Sequence, residues 1–350
     1  PKGHPYSWTV IGEMEDLNAA TLTDVHEWFK GYYGPANSVI AIAGDVNPKE
    51  IYNKVLNYFG DIPSGPTIER QEVNIPVHNG DTYQVYEDRV PESRILLAWN
   101  TPQLGSKEDV HFDLISSILT NGKNSRLYKK LVYEDQTASS VVSFQASAEI
   151  AGRFVTYANV KPGGNTENVQ ATLLAEIDNF VKNGPTEAEL KRVKADYFSG
   201  FIKGLERIGG FGGTSDILAS NETFFGDATH YKTTLKYAQD ATIADLKATA
   251  QKWLTKGKHT LICNPFPEYS TVKSSVDRTK IPELGTPKSA NFPVLEQTKL
   301  SNGLKVILAK REGVPTIIMN LMVNAGYKSD INSSAGTAAL SMNLLDEGTK

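Results

Sequence analysis

The 350-residue sequence predicts an α+β fold made of modules that repeat about every 220 residues. Strand-like runs come in clusters with helical stretches between them, which favours mixed or antiparallel sheets with helices packed on one face. Residues 20–25 read Ala-Thr-Leu-Thr-Asp-Val and residues 241–246 read Ala-Thr-Ile-Ala-Asp-Leu, an offset of 221. A second pair of similar segments, 90–100 and 314–324, has an offset of 224. Two offsets this close indicate an internal repeat.

Apolar periodicity and cap residues predict the elements in chain order. Helices are predicted over residues 21–33, 48–59, 108–119, 126–133, 166–182, 186–206, 243–254 and 335–345. Strands are predicted over residues 38–43, 84–86, 95–99, 138–146, 154–160, 260–263, 305–309 and 317–323. Asn302-Gly303 is a hairpin-turn signal ahead of the strand at 305–309.

Three of the predicted helices have an explicit start signal. Thr21 and Thr242 are each followed three residues later by an aspartate, Asp24 and Asp245, where a carboxylate suits the helix dipole. Thr186 follows Gly-Pro and precedes two glutamates in the first turn. These signals predict that the helices begin directly after the three threonines.

The repeat divides the chain into four parts. We expect residues 1–66 to be the C-terminal part of a first module and residues 67–268 to be a second module. Residues 269–293, rich in Ser, Thr, Pro and Lys, are predicted to be a linker, and residues 294–350 the start of a third module. Because the sequence lacks an initiating Met and ends within a helical pattern, we expect it to be an interior part of a longer protein.

Composition and motifs exclude several classes of function. With 36 Lys+Arg against 40 Asp+Glu, the chain lacks the basic excess typical of nucleic-acid binding, and it has no apolar run long enough to span a membrane. The single cysteine, Cys263, excludes an internal disulfide and is predicted to be a buried thiol. No two of the six histidines are three or four residues apart, so no helical turn offers a histidine pair to a metal. The glycine-rich run 209–213 lacks the Lys-Ser/Thr of a phosphate loop and is interpreted as a break between helices.

Several short motifs resemble, in their order and spacing, the pitrilysin/insulinase family of inverted-zincin metallopeptidases. They are His4-Pro5-Tyr6, Tyr33-Gly34-Pro35-Ala36-Asn37, Ala43-Gly44-Asp45-Val46, Leu119-Thr120-Asn121-Gly122, Ser125-Arg126-Leu127 and Leu300-Ser301-Asn302-Gly303-Leu304. The resemblance implies α+β modules of about the length of the repeat. It also implies a zinc ion held by an HxxEH helix and a downstream glutamate, with the motif's own glutamate activating water for peptide hydrolysis.

The resemblance places the zinc ligands of the parent protein upstream of Pro1, so we expect no catalytic residue and no metal in this chain. The segment of the third module that corresponds to the metal helix holds Ala339 and Asn343 at the two histidine positions and Met342 at the glutamate position. None of these side chains is a ligand set for zinc. We therefore interpret residues 335–345 as an ordinary amphipathic helix.

The resemblance also suggests where peptides bind. In the family's non-catalytic half, an arginine and a tyrosine hold the substrate, but the corresponding positions here are Val132 and Ser139. Residues 67–268 are therefore expected to belong to the catalytic half. Arg126 and Tyr128, which follow a Gly/Asn turn, are candidate peptide contacts, and a plain helix start on the surface is the alternative.

The sequence thus predicts a segment of a zinc-dependent metallopeptidase that hydrolyses peptides in an enclosed chamber. The alternative is a non-catalytic scaffold or a peptide-binding subunit of the same family. Expected partners are peptide substrates and the other half of the same chain or a partner subunit. A periplasmic or exported bacterial location is inferred from the resemblance alone.

Overall fold

A mixed β-sheet forms the centre of the first of two compact units, residues 1–269 and 270–350, into which the chain divides. The computed structural model describes residues 3–267, 293–310, 319–332 and 334–344. Within the described part of the first unit, the sheet has five strands: Thr82–Asp88 (β1), Arg94–Thr101 (β2), Ala138–Ala146 (β3), Gly152–Val160 (β4) and His259–Pro265 (β5).

The order of the strands is β1-β5-β2-β4-β3. β1 and β5 are parallel, whereas the β5–β2, β2–β4 and β4–β3 pairs are antiparallel. In the described residues β1 and β3 are therefore the edges of the sheet. The predicted mixed sheet is confirmed, and the repeat segment at 260–263 forms the middle of β5.

Helices pack against this sheet and continue along the rest of the first unit. Its described residues form Met14–Ala19 (α1), Leu22–Tyr32 (α2), Pro48–Phe59 (α3), Lys107–Thr120 (α4), Thr166–Asn183 (α5), Glu187–Leu205 (α6), Thr214–Phe225 (α7), Tyr231–Asp240 (α8) and Ile243–Trp253 (α9). The predicted helix at 126–133 is largely a π-helical segment, Tyr128–Glu134. There the amide of Asp135 donates to the carbonyl of Lys130, five residues back, at 2.9 Å. No helix in the described ranges has both the length and the apolar character needed to cross a membrane.

The hydrophobic core lies between one face of the sheet and the helices. Alternate residues of β2, namely Ile95, Leu97 and Trp99, point into it. Phe154 of β4 is fully buried and its ring centroid lies 5.1 Å from that of Phe112 on α4. Burying two or three large side chains per strand on the same face supplies most of the force that holds helices to sheet. The prediction that the helices pack on one face is confirmed.

The predicted helix starts at Thr21, Thr186 and Thr242 are confirmed. Each threonine hydroxyl accepts a hydrogen bond from the backbone amide three residues later, and the acid at that position accepts one from the threonine's own amide. Such a reciprocal capping box satisfies two amides that the helix itself leaves without partners. The predicted break at 209–213 is also confirmed, because α6 ends at Leu205 and α7 begins at Thr214.

Three helices were not predicted from the sequence. α1 and α7 contain no buried residue, and α8 buries only Ala238. α1 is only six residues long and α7 separates apolar from polar side chains weakly, whereas the amphipathic pattern of α8 was available in the sequence. Periodicity detects a helix only when one of its faces is apolar.

The predicted strand at 38–43 is wrong for the described structure. Its residues form no ladder with any described strand, and Val39, Ile40 and Ile42 are exposed. An apolar, β-branched run becomes a strand only when another strand supplies its hydrogen bonds. Residues 3–8 nevertheless contact the sheet region: His4 bonds to the carbonyl of Asn74, and the hydroxyl of Tyr6 accepts the amide of Ile150.

The second unit, in its described part, contains a hairpin of Leu295–Lys299 (β6) and Lys305–Ala309 (β7) and a helix, Thr337–Asn343 (α10). The hairpin turns at Asn302-Gly303, where Gly303 has a φ of 94°, as the sequence predicted. Of the predicted strand at 317–323, residues 317 and 318 lie outside the described residues, and 319–323 form no ladder with described strands. Residues 269–292 of the predicted linker also lie outside the described residues.

Candidate functional site

Arg126, a predicted peptide contact, lies two residues before the π-helical segment and its side chain is 15% exposed. Its Nε and one terminal nitrogen donate to the two carboxylate oxygens of Glu189, both at 2.7 Å. The other terminal nitrogen donates to Glu176 at 3.1 Å, and Nη2 also donates to the carbonyl of Gly184 at 3.0 Å. The guanidinium therefore joins the segment after α4 to α5, to the turn at Gly184 and to α6.

Charge accounts for the strength of this cluster. The hydrogen bond with Glu189 raises the pKa of Arg126. Burial acts to raise the pKa of Glu189, but the hydrogen bonds from Arg126 and Thr186 outweigh it and hold the pKa at about 2. Both groups are charged at neutral pH and form a bidentate pair. A peptide contact by Arg126 stays a prediction, and it would require these bonds to break.

The other predicted positions lie apart from this pair. Tyr128 and Val132 pack against the hydrophobic core. The hydroxyl of Ser139, at the second position of the family's substrate-binding pair, donates to the carboxylate of Glu92 at 2.9 Å. A role for Tyr128 in peptide binding stays a prediction.

The degenerate metal positions Ala339, Met342 and Asn343 are all exposed on α10. Within the described ranges, no group of three or more His, Cys, Asp or Glu side chains is arranged to hold a metal ion. Ala339, Met342 and Asn343 therefore do not form a ligand set for zinc.

His4 is a structural anchor in the described structure. Its Nδ1 accepts the amide of Tyr6 at 3.0 Å, so its Nε2 carries the proton that is donated to the carbonyl of Asn74 at 2.9 Å. The imidazole is buried and packs edge-to-face on Tyr6. The motif His4-Pro5-Tyr6 thus holds residues 3–8 against the sheet region.

A cluster of acids lies between the sheet and the helices. Asp109 accepts hydrogen bonds from the amide of Gly105, the hydroxyl of Ser147 and the amide group of Gln145. Burial raises the pKa of Asp109, although the three hydrogen bonds act to lower it. Asp113, one turn further along α4, has a pKa raised to about 7 by burial and by the charge of Asp109.

The face of the sheet opposite the helices was not predicted as a site. We call it the open face, and it presents Arg94, Leu96 and Ala98 of β2, Val142 and Phe144 of β3, Arg153, Val155, Tyr157 and Asn159 of β4, and Tyr86, Leu261 and Cys263 of β1 and β5. Phe144 and Tyr86 are each 41% exposed, whereas Cys263 is buried as predicted. The sequence signal was available, since β2 reads Arg-Ile-Leu-Leu-Ala-Trp and is apolar at both alternating sets of positions.

Arg94 occupies an ordered position on the open face. Its guanidinium carbon lies 4.9 Å from the ring centroid of Tyr157, and its Nε donates to the side-chain oxygen of Asn159 at 2.8 Å. Stacking and one hydrogen bond fix the plane of the guanidinium. Neither of these two contacts uses the terminal nitrogens as hydrogen-bond donors.

Comparison with known proteins identifies the family. Residues 19–197, just over half of the chain, match the family model described as the peptidase M16 inactive domain. The chain belongs to peptidase family M16, the pitrilysin/insulinase family. The M16 match begins inside the predicted first part and crosses residue 66, and the predicted domain boundaries stay predictions.

The relatives agree with the M16 assignment. The zinc protease PqqE of Helicobacter pylori is 27% identical over 263 residues, which are 74% of this chain and 58% of that protein. The crystal structure of a protease from Helicobacter pylori is 25% identical, with a TM-score of 0.65 over 75% of this chain and 63% of that one. The M16 inactive domain from Pseudomonas fluorescens, 19% identical with a TM-score of 0.63, covers 78% of this chain and 64% of its own and shares the fold. The chain spans less than two thirds of the length of the curated relatives it matches first.

Proposed function

We propose that this chain is a segment of a zinc-dependent metallopeptidase that hydrolyses peptides in an enclosed chamber, and that the segment itself is inactive. The match of residues 19–197 to the M16 inactive domain carries the proposal. Relatives named zinc proteases support zinc as the cofactor of the whole protein. The poor fit of Ala339, Met342 and Asn343 to zinc supports a metal site formed by residues outside this chain.

The open face is the part of this chain that we assign to the wall of the chamber. A sheet with helices on one side leaves the other side available, and here that side is apolar and aromatic with two arginines. Such a surface suits an unfolded peptide, because extended chains present both apolar side chains and polar backbone groups. Peptides and the other half of the same protein, or a partner subunit, are the proposed partners.

The proposal is tested by metal analysis and a fluorogenic-peptide assay on two preparations, the whole protein and the 350-residue chain. We expect one zinc per whole protein, chelator-sensitive cleavage by it, and neither zinc nor cleavage with the chain alone. Stoichiometric zinc or cleavage with the chain alone would show that the site is not outside it. If the whole protein lacks both, the alternative of a non-catalytic scaffold or peptide-binding subunit replaces the proposal.

A periplasmic or exported location is proposed with the function and rests on the family resemblance. Fractionation of the native cells, with the whole protein detected by antibody, tests it. Recovery with cytoplasmic markers alone would contradict it.

A further inference from the structure

Within the described part of the chain, an arginine at one end of the open face, Arg94, has no acidic partner to balance its charge. Among the described residues Arg94 forms no ion pair with a carboxylate, although arginines elsewhere in the first unit do, such as Arg126 and Arg192. Its positive charge is instead held in place by the ring of Tyr157 and the amide of Asn159. A guanidinium that is already oriented loses little freedom on binding and presents a planar pair of donors that matches a carboxylate.

The residues beside Arg94 indicate which kind of side chain would lie next to a carboxylate bound there. In the register of the sheet, Leu96 lies opposite both Tyr157 and Leu261, and Val142 lies on the other side of Tyr157. Phe144 continues this apolar row along β3. An apolar side chain beside the carboxylate would therefore be removed from water, which strengthens the ion pair next to it.

A second arginine lies at the other end of the row. Arg94 is opposite Asn159, and Arg153 is six positions earlier on β4, about 20 Å away at the usual rise of a strand. Arg153 is exposed and its neighbours on the open face include Val155 and Phe144. The open face thus carries an arginine at each end of an apolar row. The register also places Asp88 of β1 on this face, beyond Tyr86, but among the described residues it forms no ion pair with either arginine. The two arginines and the apolar row between them are complementary to an acidic peptide.

We propose that Arg94 is a specificity-determining residue that binds the side-chain carboxylate of an Asp or Glu in an extended peptide lying along the open face. An apolar residue next to that acid packs against Leu96 and Val142. This proposal rests on the proposed function, which places peptides on the open face. It adds that acidic peptides are preferred.

The test measures binding to the 350-residue chain by fluorescence anisotropy. The probes are two labelled, C-terminally amidated decapeptides that are identical except for Glu or Gln beside a leucine. We expect the Glu peptide to bind about tenfold more tightly, the range of a hydrogen-bonded charge pair at a partly exposed site. Amidation removes the terminal carboxylate, so any preference reports the side chain.

Variants of the chain identify the residue responsible. Arg94→Gln should remove the preference for Glu, and Arg94→Lys should retain only a small part of it, because an ammonium neither stacks nor binds in bidentate fashion. Lys191→Gln, which removes one positive charge from the exposed surface of α6, should leave the preference unchanged. Circular dichroism of each variant confirms that the fold is retained. If Arg94→Gln does not fold, Tyr157→Leu takes its place in the test. This variant removes the aromatic ring beside Arg94 and keeps the charge, and it should weaken the preference for Glu.

Three binding results would overturn the proposal: no preference for Glu in the wild-type chain, a preference that survives Arg94→Gln, or an equal loss with Lys191→Gln. Sedimentation showing a dimer that Arg94→Gln dissociates would also overturn it, since a second copy would then occupy the face. Failure of this proposal and of the proposed function are distinguishable. Cleavage by the whole protein without a Glu preference contradicts only the proposed role of Arg94. A Glu preference without zinc or cleavage contradicts only the peptidase function.

Discussion

At the scale of single residues, position in the fold decides what an arginine does. In the sequence Arg126 begins a predicted helix and Arg94 directly precedes a predicted strand, but neither pattern shows which arginine has acidic partners. In the structure Arg126 is surrounded by two glutamates and a carbonyl, whereas Arg94 has an aromatic ring and an amide. The first arrangement satisfies its charge within the protein, and the second leaves donors for a ligand.

Asp113 is a carboxyl on α4 whose pKa is strongly shifted. Its pKa is raised from the usual 3.8 to about 7, first by burial and then by Asp109. A carboxyl whose pKa is higher in the folded state favours folding when protonated, so its ionisation destabilises the protein as pH rises from about 4 to about 7. Tyr197, whose pKa burial also raises, faces the same pair of acids.

We therefore expect Asp113→Asn to increase the free energy of unfolding at pH 8 by roughly 1–3 kcal/mol, because it removes a poorly solvated charge. The gain should shrink below pH 7 and disappear near pH 4, where the wild-type carboxyl is protonated in both states. Urea unfolding at a series of pH values measures it. Asp178→Asn, at an exposed position on α5, is the control and should show no such trend. A gain independent of pH would contradict the explanation.

At the scale of elements, the two copies of the internal repeat share the same helix start but differ in whether the following segment pairs with another strand. The caps of α2 and α9 have nearly identical backbone angles, with φ and ψ of −107° and 164° at Thr21 and −109° and 167° at Thr242. After α9 the chain forms β5, whereas the corresponding residues 38–43 form no described strand. A capping box needs only four consecutive residues, but a strand needs a neighbour from elsewhere in the chain.

The capping boxes of α6 and α9 permit a matched comparison, because their acids have different cationic partners. Glu189 pairs with Arg126, which is 15% exposed, and Asp245 pairs with Lys107, which is 47% exposed. We expect Glu189→Ala to lower the free energy of unfolding by about 2–4 kcal/mol, since it removes a cap and leaves Arg126 short of partners. Asp245→Ala should cost only about 1 kcal/mol, the value of the cap. Denaturant unfolding measures both, and equal losses would show that the Arg126 cluster adds nothing.

At the scale of the whole molecule, the burial of apolar residues is uneven. The sheet and α4 supply most of the core. In contrast, Leu22, Val25 and Phe29 lie along one face of α2 and are 78%, 55% and 57% exposed. Exposed apolar stripes of this kind promote association. The capping box of α2 shows that the helix forms in spite of this, with local hydrogen bonds at its start.

We expect the 350-residue chain to self-associate as its concentration rises, through the apolar face of α2. Val25→Glu with Phe29→Glu should shift the chain toward monomer at a given concentration, measured by light scattering after size exclusion. Thr23→Glu with Lys30→Glu, outside the apolar face of the same helix, adds no less negative charge and should have little effect. An equal shift with both pairs would attribute the change to net charge alone.

The sequence by itself determined the α+β class, the mixed sheet, the three capped helix starts and the hairpin at Asn302-Gly303, because these depend on neighbouring residues and on side-chain periodicity. Only the tertiary structure decided that residues 38–43 lack a strand partner, that α7 and α8 form, and that Arg126 is enclosed while Arg94 stacks on Tyr157. Arg94 and Tyr157 are brought together by the register of β2 against β4. The sequence states no such register, since pairing between distant strands is selected by the packing of the whole core.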